Sequence, residues 1–143
     1  MERVDLTIET TLGDTKGTNM ERVVKQNFKG ETTEAGLYLA IARQAQRQGH
    51  ADIAEVLKVL AWEELEHAAT CAELNGMITD NCFEDIKRML EGEIFANKSK
   101  REEALKAREL NIESAEEFFN SGAKDEGRHA RILEGILNKI EKA

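Results

Sequence analysis

"EELEHAATC", residues 63–71, places two polar side chains on a face that the helix pattern otherwise reserves for apolar ones. The stripe steps by four and three residues, which keeps its side chains on one side of an α-helix. Its members are Ile53, Leu57, Leu60, Glu64, His67, Cys71 and Leu74. The pattern predicts an inward-facing helix stripe that is interrupted by a carboxylate and an imidazole.

The same interruption recurs 62 residues further along the chain. A shift of that length matches Glu31 with Glu93, Glu64 with Glu126, and His67 with His129. In each half, a glutamate that follows a glycine precedes a Glu-x-x-His sequence by 33 residues. This internal repeat predicts two related helical hairpins that carry the same three polar side chains.

Four long helices are predicted in a chain that has no proline. Sequences typical of a capping box begin at Thr18 and Asn81, and left-handed stops are expected at Gly49, Gly76 and Asn111. The predicted helices A to D cover about residues 18–48, 51–75, 81–110 and 113–141. We therefore predict an all-α bundle of two hairpins, A-B over about 18–76 and C-D over about 80–141, within one domain, 18–143.

Residues 1–17 differ from the rest of the chain. Val4, Leu6 and Ile8 alternate with polar residues. Such alternation predicts a short strand, or an arm with β tendency, whose role stays open.

Composition excludes several classes of protein. The formal net charge of -8 argues against nucleic-acid binding, which relies on clustered lysine and arginine side chains. No apolar run approaches the roughly 20 residues of a membrane-spanning helix, and the acidic N-terminus does not resemble a signal peptide. We therefore expect a cytoplasmic protein. Cys71 and Cys82 form no Cys-x-x-Cys pair, so neither a rubredoxin-type iron site nor a zinc ribbon is predicted.

Glutamates on inward stripes need a partner, because a buried ionised carboxylate is costly without one. Glu and His three residues apart reach the same point beside a helix. Two such helices, with one glutamate from each of two others, form the ligand set of a dinuclear carboxylate site. Oxygen and imidazole ligands suit iron or manganese. A solvated salt-bridging face is the alternative, and it fits a single Glu-x-x-His better than two in register.

Four segments resemble motifs of the rubrerythrin family, which comprises ferritin-like, non-haem di-iron proteins. They are "NFKGETTEAGLYLA" (27–40), "WEELEH" (62–67), "MLEGE" (89–93) and "KDEGRH" (124–129), and the resemblance covers about residues 20–140. It implies a ferritin-like four-helix bundle that binds two iron ions, with manganese or mixed metals as alternatives. The implied ligands are Glu31, Glu64, His67, Glu93, Glu126 and His129, with Glu64 and Glu126 or their counterparts bridging.

The sequence also departs from that family. Typical rubrerythrins have a four-cysteine rubredoxin domain and often a further glutamate three residues after the third-helix ligand, where this chain has Ala96. Glu34 occupies the repeat-related position, and "GETTE" (30–34) resembles the reverse and symmetric rubrerythrin-like proteins. We hypothesise that Glu34 is a seventh carboxylate; the alternative is a solvent-facing side chain. Tyr38 lies on the Glu31 face and either hydrogen-bonds a ligating carboxylate or packs in the core, whereas its repeat mate is Lys100.

The resemblance implies a function in defence against oxidative stress. A reduced di-iron site would give two electrons to hydrogen peroxide and be reduced again by a separate carrier, such as a rubredoxin-like protein. A di-iron site with the same ligands can also react with dioxygen or oxidise iron(II). The alternatives are therefore a ferroxidase or iron-handling protein, a manganese catalase-like enzyme and a metal-free structural bundle.

The connection between helices B and C predicts a dimer. In a ferritin-like bundle these helices run parallel, so their connection has to return along the bundle. Residues 76–80 span at most about 17 Å, whereas a 25-residue helix is about 37 Å long. We therefore expect a homodimer in which the A-B hairpin of one chain pairs with the C-D hairpin of another.

Overall fold

The computed structural model describes residues 10–141, with the side chains of residues 140 and 141 excepted. Within this range the chain forms four helices and no strand: α1 (Glu21–Arg47), α2 (Ala51–Leu74), α3 (Cys82–Glu109) and α4 (Glu113–Glu141). The all-α prediction is confirmed. The predicted strand around Val4, Leu6 and Ile8 lies outside the described residues.

The helix ends follow the signals in the sequence. Gly49, Gly76 and Asn111 adopt φ values of 85°, 59° and 56°, so each takes the left-handed conformation that stops a helix. Asn81 caps α3, because its side chain accepts a hydrogen bond of 3.1 Å from the backbone N–H of Phe83. Local chemistry therefore sets three of the turns and one helix start.

The start of α1 differs from the prediction. The helix begins at Glu21, three residues after Thr18. The Thr18 hydroxyl donates to the Thr15 carbonyl and accepts from the Met20 N–H, while the Glu21 carboxylate accepts from the Gly17 N–H. Thr18 thus stabilises the turn that leads into α1, and Glu21, the other residue of the predicted capping box, is the first residue of the helix.

The chain folds as two compact units, one up to Asp80 and one from Asn81. In the first, α1 packs against α2, and in the second, α3 packs against α4. The buried residues between the paired helices are almost all alanines: Ala35, Ala42, Ala45, Ala54, Ala61 and Ala68 in the first unit, and Ala104, Ala107 and Ala123 in the second. Small side chains let the helix backbones approach closely. The predicted stripe on α2 lies beside this alanine seam, and its residues Leu57, Leu60, Cys71 and Leu74 are half-buried.

The segment before α1 packs against the end of α2. Gly13 and Thr15 donate their backbone N–H groups to the carbonyls of Glu73 and Leu74, at 2.8 and 2.9 Å. These carbonyls belong to the last turn of α2, where carbonyl groups have no N–H partner within the helix. Residues 10–17 of the predicted arm therefore form turns that close the α1–α2 hairpin.

Asn75, at the end of α2, contacts both the N-terminal segment and the start of α1. Its side-chain amide donates to the Glu21 carbonyl at 2.9 Å, and its Oδ1 lies 2.5 Å from the Thr15 hydroxyl. The residue is only 9% exposed. Asn75 therefore ties the N-terminal segment and the start of α1 to the end of α2.

None of the helices described here is both long and apolar enough to cross a bilayer.

Candidate metal centre

The α1–α2 hairpin brings together Glu31, Glu64 and His67. One potential ligand atom from each of the three side chains lies within 4.8 Å of the others. The His67 Nδ1 lies 3.0 Å from Oε2 of Glu64 and 3.7 Å from Oε2 of Glu31. Glu64 and His67 share one face of α2 because they are three residues apart, and the alanine seam brings Glu31 of α1 beside them. We call this group the first triad.

The α3–α4 hairpin repeats that arrangement with Glu93, Glu126 and His129, which we call the second triad. Its potential ligand atoms also lie within 4.8 Å of one another. The His129 Nδ1 lies 3.1 Å from Oε2 of Glu126 and 3.5 Å from Oε2 of Glu93. The internal repeat of the sequence is therefore also a repeat of side-chain geometry.

The four carboxylates are more buried than the two imidazoles. The side chains of Glu31, Glu64, Glu93 and Glu126 are 16 to 22% exposed, whereas those of His67 and His129 are 62% and 42% exposed. Partial burial of two adjacent carboxylates is unfavourable without positive charge. Each triad therefore combines partly buried negative charge with oxygen and nitrogen donor atoms that could hold a divalent cation.

The close approach of Glu31 and Glu64 in the first triad shifts the pKa values of both carboxyl groups. A hydrogen bond between the carboxyl groups of Glu31 and Glu64 raises the pKa of Glu31, and burial and the Glu64 charge raise it further. The same hydrogen bond, with that from His67, lowers the pKa of Glu64. The pKa of His67 is raised, chiefly by its hydrogen bond to Glu64. The two carboxyl groups are thus close enough to change each other's pKa, and the oxygen and nitrogen donors of the triad fit iron or manganese.

The second triad contains a feature that the sequence analysis missed. The Lys100 ammonium forms an ion pair with Oε1 of Glu126. The repeat had identified Lys100 only as the counterpart of Tyr38. The available signal was Gly122, which lies one turn before Glu126 on α4 and leaves room for a lysine side chain to cross.

Glu34 and Tyr38 lie near the first triad without joining it. Glu34 is exposed, and it lines an open cavity of about 200 Å³ together with Glu31. The main cause of the raised Glu31 pKa is the hydrogen bond with Glu64, and the Glu34 charge adds to it. Tyr38 is half-buried, two turns after Glu31. The roles predicted for Glu34 and Tyr38 stay predictions.

Cys71 follows His67 by one turn on α2. It is half-buried, and burial, with the nearby Glu31 charge, raises the pKa of its thiol. Cys82 is exposed at the start of α3. A buried thiol with a raised pKa is a poor nucleophile, so Cys71 is a packing residue beside the triad.

Two hairpins that each present two carboxylates and an imidazole from paired helices have the ligand pattern of helical-bundle proteins with dinuclear carboxylate sites. The chain belongs to the rubrerythrin family, because the family model described as Rubrerythrin matches residues 22–137. The predicted family and the predicted ferritin-like four-helix fold are confirmed. Rubrerythrins typically bind iron, and membership of the family points to an oxidoreductase.

Two relatives support this assignment. A protein of Methanocaldococcus jannaschii that is described as uncharacterized is 52% identical over 139 residues, which cover 97% of this chain and 99% of the relative. Reverse rubrerythrin-1 of Clostridium acetobutylicum is 37% identical over 137 residues, which cover 94% of this chain and 76% of the relative. The matched regions therefore extend over both hairpins.

Proposed function

We propose that the protein is a non-haem di-iron peroxidase that reduces hydrogen peroxide to water as a defence against oxidative stress. The observation that carries this proposal is the pair of matched triads, each with two carboxylates and one imidazole. Glu31, Glu64 and His67 would hold one ion, and Glu93, Glu126 and His129 the other. Iron is proposed over manganese because the chain belongs to the rubrerythrin family.

When bound, the two iron(II) ions supply two electrons, which together with two protons reduce one hydrogen peroxide molecule to two water molecules. The residues of the chain prepare that site. The four partly buried carboxylates would offset the positive charge of the metal ions, and they bind metal in their deprotonated form. We further propose that Glu34 is an additional carboxylate ligand and that the Tyr38 hydroxyl hydrogen-bonds a ligating carboxylate.

Electrons are proposed to come from a separate protein. The 143 residues contain two cysteines, and a four-thiolate iron site needs four. A small carrier such as a rubredoxin-like protein would return the site to its reduced form after each turnover. Its removal from a reconstituted assay should limit the protein to a single turnover.

Stopped-flow oxidation of the iron(II)-loaded protein tests the activity directly. Peroxide should oxidise the reduced centre much faster than dioxygen does at equal concentration. Faster oxidation by dioxygen, together with uptake of many iron ions per chain, would favour a ferroxidase or iron-handling protein. Sustained release of dioxygen from peroxide by the manganese-loaded protein would favour a catalase-like activity.

We also propose that the active form is a dimer that exchanges hairpins. Residues 75–81 connect α2 to α3 and reach about 24 Å when extended, whereas α2, with 24 residues, is about 36 Å long. This connection is too short to return along a parallel bundle. Large apolar side chains, among them Leu37, Trp62, Phe95 and Phe118, are exposed on the two hairpins and would pack in the exchanged assembly.

A mixing experiment tests hairpin exchange. One variant carries Glu64→Gln and His67→Gln, and the other carries Glu93→Gln and His129→Gln. Dimers formed by exchange between the two variants contain one site with all six ligands, whereas every site formed within a single chain lacks two of them. Co-expression should therefore restore iron binding that neither variant shows alone, and no recovery would contradict exchange.

A further inference from the structure

Lys100 reaches the second triad from the α3 side of the hairpin. Its ammonium contacts Oε1 of Glu126, and the two side chains are 27% and 16% exposed. The lysine side chain passes over Gly122 on α4. A Cβ atom at Gly122 would lie 3.1 Å from Cδ and 3.4 Å from Cε of Lys100, so a larger residue there would obstruct this path.

The first hairpin has different residues at the equivalent positions. The 62-residue repeat matches Lys100 with Tyr38 and Gly122 with Leu60, and both counterparts are half-buried. A long cationic side chain therefore occurs with a glycine in one hairpin, and a neutral aromatic side chain with a leucine in the other. The two differences together allow an ammonium group to reach a proposed metal ligand in the second hairpin alone.

The charge balance of the two triads differs as a result. In the described structure, Glu31 and Glu64 form their ion pairs with His67. Glu126 pairs with His129 and also with the ammonium group of Lys100. A metal ion that binds Glu126 has to displace this ammonium group or bind beside it, and either process weakens its binding.

We propose that Lys100 is an internal cation that makes the two triads unequal, so that the first triad binds its metal ion before the second. This inference rests on the proposed function, because it assumes that both triads bind metal. In the metal-free protein Lys100 neutralises part of the charge of the second triad. Loading of the second ion then requires release of the Lys100–Glu126 pair.

Anaerobic titration calorimetry with iron(II) on the full-length protein tests this order of binding. The wild type should bind two ions per chain in two steps of unequal affinity. Lys100→Tyr gives the second hairpin the residue of the first, and it should tighten the weaker step by about tenfold or more, so that the two steps converge. Tyr38→Lys should weaken the stronger step. Lys98→Tyr, at an exposed position of the same helix, is the matched control and should change neither step.

Two further measurements separate this role from a structural one. Gly122→Leu keeps the lysine charge but obstructs its path, so it should also tighten the weaker step. In the presence of a chelator, Lys100→Tyr should unfold at a lower temperature than the wild type. Saturating iron(II) should raise the unfolding temperature of Lys100→Tyr by more than it raises that of the wild type. If the protein binds two iron(II) ions tightly and neither Lys100→Tyr nor Gly122→Leu changes their affinities, the inference is wrong. The proposed metal centre would then still stand. Absence of iron(II) binding in the wild type would overturn both.

Discussion

His67 and Glu64 lie one helical turn apart on α2, with the imidazole Nδ1 3.0 Å from the carboxylate Oε2. The helix itself sets this relationship, since residues three apart share a face. His129 and Glu126 show the same relationship at 3.1 Å in the other hairpin. The carboxylate and imidazole donors of each triad are therefore preorganised by secondary structure, and the paired helix contributes one additional glutamate.

Replacement of Glu31 should affect stability and metal binding in opposite directions. Glu31→Gln removes a charge that is unfavourable beside Glu64, as the raised Glu31 pKa shows, and the new amide can donate to Glu64. At neutral pH the metal-free variant should therefore unfold at a higher urea concentration than the wild type. Its affinity for iron(II) should fall, because an amide oxygen is a weaker ligand than a carboxylate. Glu63→Gln, at an exposed position of α2, is the control that should change neither property.

The stability of the metal-free protein should contain a contribution from protonated His67. Its pKa is raised above 6.5, chiefly by the hydrogen bond to Glu64, so folding favours the protonated imidazole. This contribution is fully present below pH 6.5 and is lost as the pH rises through the higher pKa of the folded state. Urea unfolding with a chelator, from pH 5.5 to 8.5, should show the advantage of the wild type over His67→Gln decreasing as pH increases. An advantage that increases with pH would contradict the pairing.

Asn75 should be a stability residue that has no effect on metal binding. Asn75→Ala removes the bond to the Glu21 carbonyl and the contact of 2.5 Å with the Thr15 hydroxyl, which keeps the Leu74 carbonyl as an acceptor. Loss of such partly buried hydrogen bonds should lower the free energy of unfolding by about 1 to 3 kcal/mol. Asn27→Ala, in an exposed part of α1, should cost little because alanine favours helix. If the two substitutions have equal effects in urea unfolding, the hydrogen bonds of Asn75 at the end of α2 do not stabilise the protein.

Glu34→Ala tests the seventh carboxylate. The substitution copies the second hairpin, where Ala96 occupies the equivalent position. If Glu34 turns toward the first triad when metal binds, the variant should bind iron(II) more weakly and react more slowly with peroxide. Unchanged iron content and an unchanged peroxide rate would show that Glu34 is a solvent-facing side chain.

The features that were predicted from sequence depend on local chemistry. The left-handed stops at Gly49, Gly76 and Asn111 and the cap at Asn81 involve residues within one turn of each other. The spacing of each Glu-x-x-His sequence fixes two members of a triad on one helix face. The internal repeat then identified the glutamate on the paired helix.

The features that were missed depend on contacts between distant residues. The Lys100–Glu126 pair joins side chains that are 26 residues apart, and the Thr15–Asn75 contact joins side chains that are 60 apart. Neither contact changes the spacing of apolar residues along a helix, so the sequence pattern gives no sign of it. The alanine seam was overlooked because Ala54, Ala61 and Ala68 repeat every seven residues beside a more hydrophobic stripe of larger side chains. How closely two helices approach depends on the volume of the side chains between them, and a hydropathy pattern does not measure volume.

The central claim is that the two triads together bind two metal ions, and iron content after anaerobic reconstitution tests it most directly. The wild-type protein, freed of unbound metal by gel filtration, should retain two iron ions per chain by elemental analysis. Glu64→Gln combined with Glu126→Gln should retain almost none, while the exposed pair Glu63→Gln and Asp125→Asn should retain both ions. A wild type without iron, or a Glu64 and Glu126 double variant that keeps two ions, would contradict the account.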